Sequence, residues 1–340
     1  MENKPFKILS IDGGGIRGVF PAMFLTNLER ELQRRGGEKN KIWEHFDLIC
    51  GTSTGGIIAI ALALGIPASE IYEMYLEKAG TIFGSKKNFI KRIFYSAHDR
   101  TNLESLIRNK FKAINNDVDP LLKDCKTGVC VPIYDLMEGA PSVLKSAYHP
   151  RFTRDPQRPA YIAALATSAA PTFFDPYSAA YIDTMGTKQP FNNKVDGGVF
   201  ANNPTLLGII EAQKAFGKNL SDLRVLSIGT GHQRFVDACS RKDWGIYYWM
   251  LQGNKKRLIE LFMQGQSQQV QNLISLLQKG IDKSESDNFI YNRIDTELDE
   301  TCIIELDETN KKKLEKLAEK ATNAFHNNAS KIIDTYCSQI

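Results

Sequence analysis

Phe46-Asp47-Leu48-Ile49-Cys50-Gly51-Thr52-Ser53-Thr54-Gly55, followed by Gly56-Ile57-Ile58-Ala59-Ile60-Ala61-Leu62-Ala63-Leu64, reads as a short apolar strand, a Gly-x-Ser-x-Gly turn and a helix. A serine between two glycines at a strand-to-helix junction has the pattern of a nucleophile elbow. Gly51 and Gly55 permit a tight, strained turn that presents the Ser53 hydroxyl at the N-terminus of the helix. That helix is apolar on every face, so it has to be buried, in the middle of the fold. Five residues of this kind also occur as a tight turn with an incidental serine. The reading therefore depends on what the rest of the chain supplies.

Upstream, Lys7-Ile8-Leu9-Ser10-Ile11 is a strand that ends in Asp12-Gly13-Gly14-Gly15-Ile16-Arg17-Gly18. Val19, Phe20, Met23, Phe24, Leu28 and Leu32 then recur at helical spacing, and Arg34-Arg35-Gly36-Gly37 closes that helix with cations and a glycine stop. Consecutive glycines let backbone N–H groups converge at a helix N-terminus, which makes Gly13, Gly14 and Gly15 candidates for an oxyanion hole. Arg17 and Gly18 would support the loop, or Arg17 would meet a phosphate-bearing head group. The same residues satisfy G-x-G-x-x-G, the dinucleotide fingerprint. That alternative requires an acidic residue about 20 positions on, at the end of the second strand. Here the second strand ends in Cys50-Gly51, and Glu29 and Glu31 lie inside the first helix, which disfavours a nucleotide cofactor.

Downstream, Val195-Asp196-Gly197-Gly198-Val199-Phe200-Ala201-Asn202-Asn203-Pro204 places an aspartate before two glycines, where it can closely approach another loop. An Asp-Gly turn is common in any loop, but glycine loop, serine elbow and aspartate in this order are the parts that acyl transfer needs. His232 and His326 follow Asp196, so a Ser-Asp-His order is available. Two observations disfavour it. The glycine loop begins at Gly13, leaving room for one strand, whereas the α/β-hydrolase oxyanion loop follows a third strand. His232 itself has no signature beyond a strand-end loop.

Further strand-like runs at 129–134, 142–146 and 223–229 alternate with helical stretches, which predicts an α/β fold with a mostly parallel central sheet. After about His232 the chain becomes Gln-, Lys- and Glu-rich, with Leu314, Leu317, Ala318, Ala321 and Phe325 at helical spacing. The expected division is a catalytic domain over 6–235 and a helical extension over 236–340 packed on the core. The 340 residues are 42% hydrophobic and 24% charged, with a net charge of +4. That balance suits a soluble globular chain near anionic membrane and is too weakly basic for a nucleic acid polymer. Six scattered cysteines form no zinc pattern, and no metal or cofactor is called for. Without a signal-peptide pattern at the N-terminus, the expectation is a cytoplasmic protein acting at the membrane surface. Lys86-Lys87-Asn88-Phe89-Ile90-Lys91-Arg92-Ile93-Phe94-Tyr95 separates apolar and cationic faces at helical spacing. It reads as an interfacial helix or lid, or as an ordinary surface helix.

Taken together, Asp-Gly-Gly-Gly-x-Arg-Gly, Gly-Thr-Ser-Thr-Gly-Gly and Asp-Gly-Gly with Ala-Asn-Asn-Pro behind it resemble the patatin-like phospholipase family. Ala166 to Phe174 and Ser227-Ile228-Gly229-Thr230-Gly231 look like further family segments. The resemblance implies a three-layer α/β/α fold and a histidine-free dyad with Ser53 as nucleophile and Asp196 as base. It also implies an oxyanion hole at Gly13, Gly14 and Gly15, and membrane phospholipid as substrate. Some bacterial relatives are antiviral effectors switched on by cyclic nucleotides, so a cyclic dinucleotide is a candidate activator. A storage or binding protein that keeps the fold with residual esterase activity is the remaining alternative.

Overall fold

The computed structural model describes residues 4–83, 96–233, 244–245, 247–251, 257–280, 289–299 and 303–337. The Lys86–Tyr95 segment lies outside the described residues, as do Cys239 and Cys302.

The strand alternation read from the sequence builds one sheet. Its strands are β1 (Phe6–Ile11), β2 (Leu48–Gly51), β3 (Gly128–Asp135), β4 (Ala140–Lys145), β5 (Tyr177–Ile182), β6 (Lys188–Asp196), β7 (Leu223–Ile228) and β8 (Ile290–Ile294). The spatial order is β5-β6-β3-β2-β1-β7-β8, with β4 also paired to β3. β3, β2, β1, β7 and β8 run parallel, while β4, β5 and β6 join by antiparallel pairings. The mostly parallel centre follows from helical crossovers, and the antiparallel edge from the β5–β6 hairpin.

Side chains alternate across the sheet. Leu9, Ile11, Ile49, Val131 and Ile228 face one layer, and Phe6, Ile8, Leu48, Cys50 and Val225 face the other. The first layer holds α1 (Val19–Arg34), α2 (Thr54–Leu64), α3 (Ala68–Phe83), α4 (Thr101–Ala113) and α5 (Ala160–Thr167). Every residue of α2 is buried, as its uniformly apolar sequence requires. After the short α6 (Gly198–Ala201), the second layer is built on α7 (Thr205–Ala215) and α8 (Arg257–Gly280). These helices contribute Ile209, Ala212, Val270 and Ile274 to the core. Cys50 and Cys130, partners on β2 and β3, hold free thiols with sulfurs 3.1 Å apart.

The C-terminal part is more than a helical extension. β8 extends the central sheet beyond β7, and α9 (Lys311–Ile332) packs on α1 in the first layer. Leu314, Leu317, Ala321, Phe325 and Ile332 are buried there, and Phe325 meets Phe24 edge to face with ring centroids 5.5 Å apart. Tyr336 then reaches into the sheet, donating its hydroxyl hydrogen to the Val225 carbonyl (2.7 Å) and accepting from Asn292 Nδ2 (2.9 Å). A boundary at 235 would divide one core rather than separate two. Cleaving the chain there is expected to abolish cooperative unfolding. Phe325→Ala in the full chain should lower stability by about 3–5 kcal/mol in urea denaturation, whereas a 1–235 fragment that folds and unfolds cooperatively would contradict this account.

Candidate active site

The site is assembled by strand register. β1 and β2 are parallel neighbours with Ile11 opposite Gly51, so the glycine loop and the serine turn leave the sheet side by side at its carboxyl edge. β6 enters antiparallel to β3 with Asp196 opposite Ile133, which brings the aspartate to the same level from the opposite direction. Three segments far apart in sequence therefore meet above the centre of the sheet.

Ser53 caps α2 with φ 54° and ψ −124°, a left-handed conformation that costs a non-glycine residue about 1–3 kcal/mol. The surroundings over-determine it. Its N–H donates to Thr167 Oγ1 (3.2 Å), its carbonyl accepts from Gly56 and Ile57, and Thr52 Oγ1 donates to the Ala201 carbonyl (2.6 Å). Gly55 is required because a side chain there would run into the Ile11 carbonyl, which would push α2 off β1. Thr167 also donates to the Pro132 carbonyl (2.7 Å). The Asp196 N–H bonds the Ala169 carbonyl (3.0 Å) and the Gly197 N–H bonds that of Thr167 (3.3 Å). The 167–169 segment thus ties the serine turn to the aspartate turn.

Asp196 is 4% exposed and Ser53 8%. The Asp196 carboxylate accepts a hydrogen bond from the Gly198 N–H (2.6 Å), and the Ser53 hydroxyl beside it also favours its ionised form. Burial pushes this carboxyl from its ordinary value near 3.8 up to about 7, against the pull of those two groups. A carboxyl of that affinity beside a serine hydroxyl is set up to exchange a proton at neutral pH.

All five histidines of the sequence lie in described positions, and none lines the cavity that holds Ser53 and Asp196. His232 pairs with Asp295 (3.4 Å) in a different cavity. His98 is buried against Asp307 (3.1 Å), and His326 is exposed on α9.

The glycine loop departs from expectation at one position. The Gly13 N–H already donates to the Asn202 carbonyl (3.0 Å), so it is committed to holding two loops together. Gly14 and Gly15 make no such backbone bond through their N–H groups among the described residues. Gly15 has φ 56°, and a side chain there would strike the Leu306 carbonyl. Arg17 is buried and braces the loop through its backbone, its N–H donating to the Gly14 carbonyl (3.1 Å). Its side chain lines a polar cavity rather than the one that holds Ser53. Gly18 packs directly on Thr54.

Sequence reasoning missed the buttress behind this loop. Arg293, on β8, makes a bidentate pair with Asp12 (2.9 and 2.6 Å) and also bonds Asp295 (2.8 Å) and Ser227 (2.8 Å). Burial alone would weaken the Arg293 proton affinity, but Asp12 and Asp295 more than offset it and keep the guanidinium charged. A lone arginine 281 positions from its partner carries no motif, so no local signal marks the pair.

The cavity at Ser53 has a volume of about 210 Å³, and its walls are almost wholly apolar. Ile57, Phe83, Leu103, Phe173, Phe174 and Met263 form much of its surface, which suits a hydrocarbon chain. Among the described residues no cluster of His, Cys, Asp or Glu is arranged to hold a metal ion.

Comparison with known proteins identifies the family. The family model of patatin-like phospholipases matches residues 9–209. Patatin-like protein 2 of Arabidopsis thaliana is 34% identical over 293 residues, covering 77% of this chain and 70% of that protein. The cGAMP-activated phospholipase of Escherichia coli is 32% identical, covering 84% of this chain and 79% of its own length. The protein of the same name from Vibrio cholerae is 33% identical, over 74% of this chain and 72% of its own. The chain belongs to the patatin-like phospholipase family, and it is a lipid hydrolase.

Proposed function

We propose that this protein cleaves ester-linked acyl chains of membrane phospholipids through a Ser53–Asp196 dyad and an acyl-enzyme intermediate. The observation that carries the reading is that Ser53 and a buried Asp196, its carboxyl held near neutrality, line the same apolar cavity. Ser53 Oγ attacks the ester carbonyl while Asp196 takes the hydroxyl proton. The Gly14 and Gly15 N–H groups, at the start of a helix, stabilise the oxyanion. Collapse of the intermediate expels the lysolipid alcohol, which takes its proton from Asp196. Asp196 then removes a proton from water as that water attacks the acyl-enzyme, and Ser53 is regenerated.

Access to substrate follows from the mouth of the acyl cavity. Val199 and Phe262 line that cavity and are nonetheless 51% and 66% exposed. Two large apolar side chains at a lipid-binding mouth favour peripheral docking on a bilayer, with the enzyme acting from the cytoplasm at the membrane surface. A second reading, control by a cyclic dinucleotide, is favoured by the two relatives named as cGAMP-activated phospholipases.

Ser53→Ala is expected to abolish phospholipid hydrolysis, and Asp196→Asn to lower kcat by about 10³-fold or more, with no histidine substitution approaching that loss. Because the base must be ionised, kcat/KM of the wild type should rise with pH through about 7 and level off above it. A pH-independent rate between 5 and 9, or a histidine variant as inactive as Asp196→Asn, would refute the dyad. Val199→Ser combined with Phe262→Ser should reduce hydrolysis of vesicle phospholipid about tenfold more than hydrolysis of a monomeric short-chain ester, while equal losses on both substrates would remove the docking role.

A further inference from the structure

His98 is only 3% exposed, yet it takes no direct part in ester cleavage. Its Nε2 is hydrogen-bonded to Asp307 Oδ2 (3.1 Å), and Asp307 is itself 7% exposed. A carboxylate can only accept, so the ring holds a proton on Nε2 and donates it. Neither residue lines the acyl cavity, and the pair joins segments 209 positions apart. A buried polar pair of this kind gains little stability over two apolar side chains of the same volume. What it contributes is a fixed geometry.

Each partner holds one wall of the acyl cavity. The His98 ring packs on Phe83, Phe173 and Phe174, with centroids 5.3, 6.4 and 5.9 Å away, and all three phenylalanines line that cavity. The backbone adds to this contact. The Ala97 N–H donates to the Thr172 carbonyl (3.0 Å), and the His98 N–H donates to that of Phe173 (2.9 Å). Those bonds hold Thr172 at φ 71°, a left-handed conformation that β-branched residues rarely adopt. On the other side, Leu306 precedes Asp307 and lines the same cavity. The Leu306 carbonyl accepts from the Ile16 N–H (2.9 Å), directly behind the glycine loop.

We propose that His98 and Asp307 are positioning residues that brace the aromatic wall of the acyl cavity against the Leu306 wall. The brace sets the preference of the enzyme for long acyl chains over short ones. With the hydrogen bond in place, a long hydrocarbon chain is packed by both walls at once. Without it the walls part, and the chain loses dispersion contacts on one side. A short acyl chain ends close to Ser53 and gains little from either wall. The inference rests on the acyl-hydrolase reading above, but not on which group activates Ser53.

The test measures kcat/KM for the p-nitrophenyl esters of butyrate and dodecanoate, the latter in mixed micelles. Wild type is compared with His98→Phe, Asp307→Asn and the double variant His98→Phe/Asp307→Leu, with melting curves to establish folding. The double variant puts apolar side chains of similar volume in place of the pair, so no buried carboxylate is left unpaired. The expected dodecanoate-to-butyrate ratio falls about tenfold in His98→Phe and in the double variant, roughly what two chain methylenes gain by burial. Asp307→Asn, whose amide oxygen still accepts from His98, is expected to keep the ratio within about threefold of wild type. Equal falls on both esters mark a pair that only stabilises the fold, and overturn the proposal. An unchanged ratio in the folded double variant overturns it too, as does a wild type that cleaves butyrate as fast as dodecanoate. The ratio compares two substrates of one enzyme, so activity that survives Asp196→Asn refutes the dyad without altering this test.

Discussion

A carboxyl group taken out of water and placed against a serine hydroxyl is the constraint on which the rest of this structure depends. Asp196 in solution would be too weak a base to activate an alcohol at neutral pH. Burial without a neutralising cation raises it, and the Ser53 hydroxyl and the Gly198 N–H keep it from rising further. Such a group is costly to fold, and so is Ser53 in its left-handed conformation. Both persist because the surrounding strands, the 167–169 segment and the Asn202 loop leave neither anywhere else to go.

The glycine loop shows how this over-determination works. Its backbone must come close enough to Asn202 and Thr230 to bond with them, and Gly13 accepts from Thr230 Oγ1 (3.0 Å) as well as donating to Asn202. The Asp12–Arg293 pair then fixes the end of β1 from the far side of the sheet. Because Arg293 comes from β8, the C-terminal part of the chain takes part in shaping a site whose motifs all lie before residue 205. α8 adds a second link, since one helix lines both the acyl cavity and the polar cavity behind the loop.

Much of this was legible in the sequence where local chemistry dictates local structure. The Gly51–Gly55 turn, the buried helix after it and the Asp196-Gly197-Gly198 turn each carry their own conformational requirement, and register brings them together as the motif order implied. Long-range partners were not legible. Thr167 bonds Ser53 across 114 positions, and Arg293 meets Asp12 across 281, with nothing in either neighbourhood to announce it. The β5–β6 hairpin was missed because exposed and polar residues dilute its alternation, as in Lys188-Gln189-Pro190-Phe191-Asn192-Asn193. β8 was missed because a five-residue strand set in a Lys- and Glu-rich stretch looks like part of the helical region around it. The Gly13 assignment failed for a subtler reason. Sequence identifies which amides can converge, but not which one a neighbouring carbonyl has already claimed.

The most direct test of the account is the titration of Asp196 itself. An infrared difference titration of wild type against Asp196→Asn isolates the protonated-carboxyl band of that one residue from those of the other buried acids. This band is expected to disappear with a midpoint near 7 in the wild type. A midpoint close to the ordinary carboxylate value near 3.8 would contradict it, because Asp196 would then be fully ionised well below neutrality and too weak to take the serine proton.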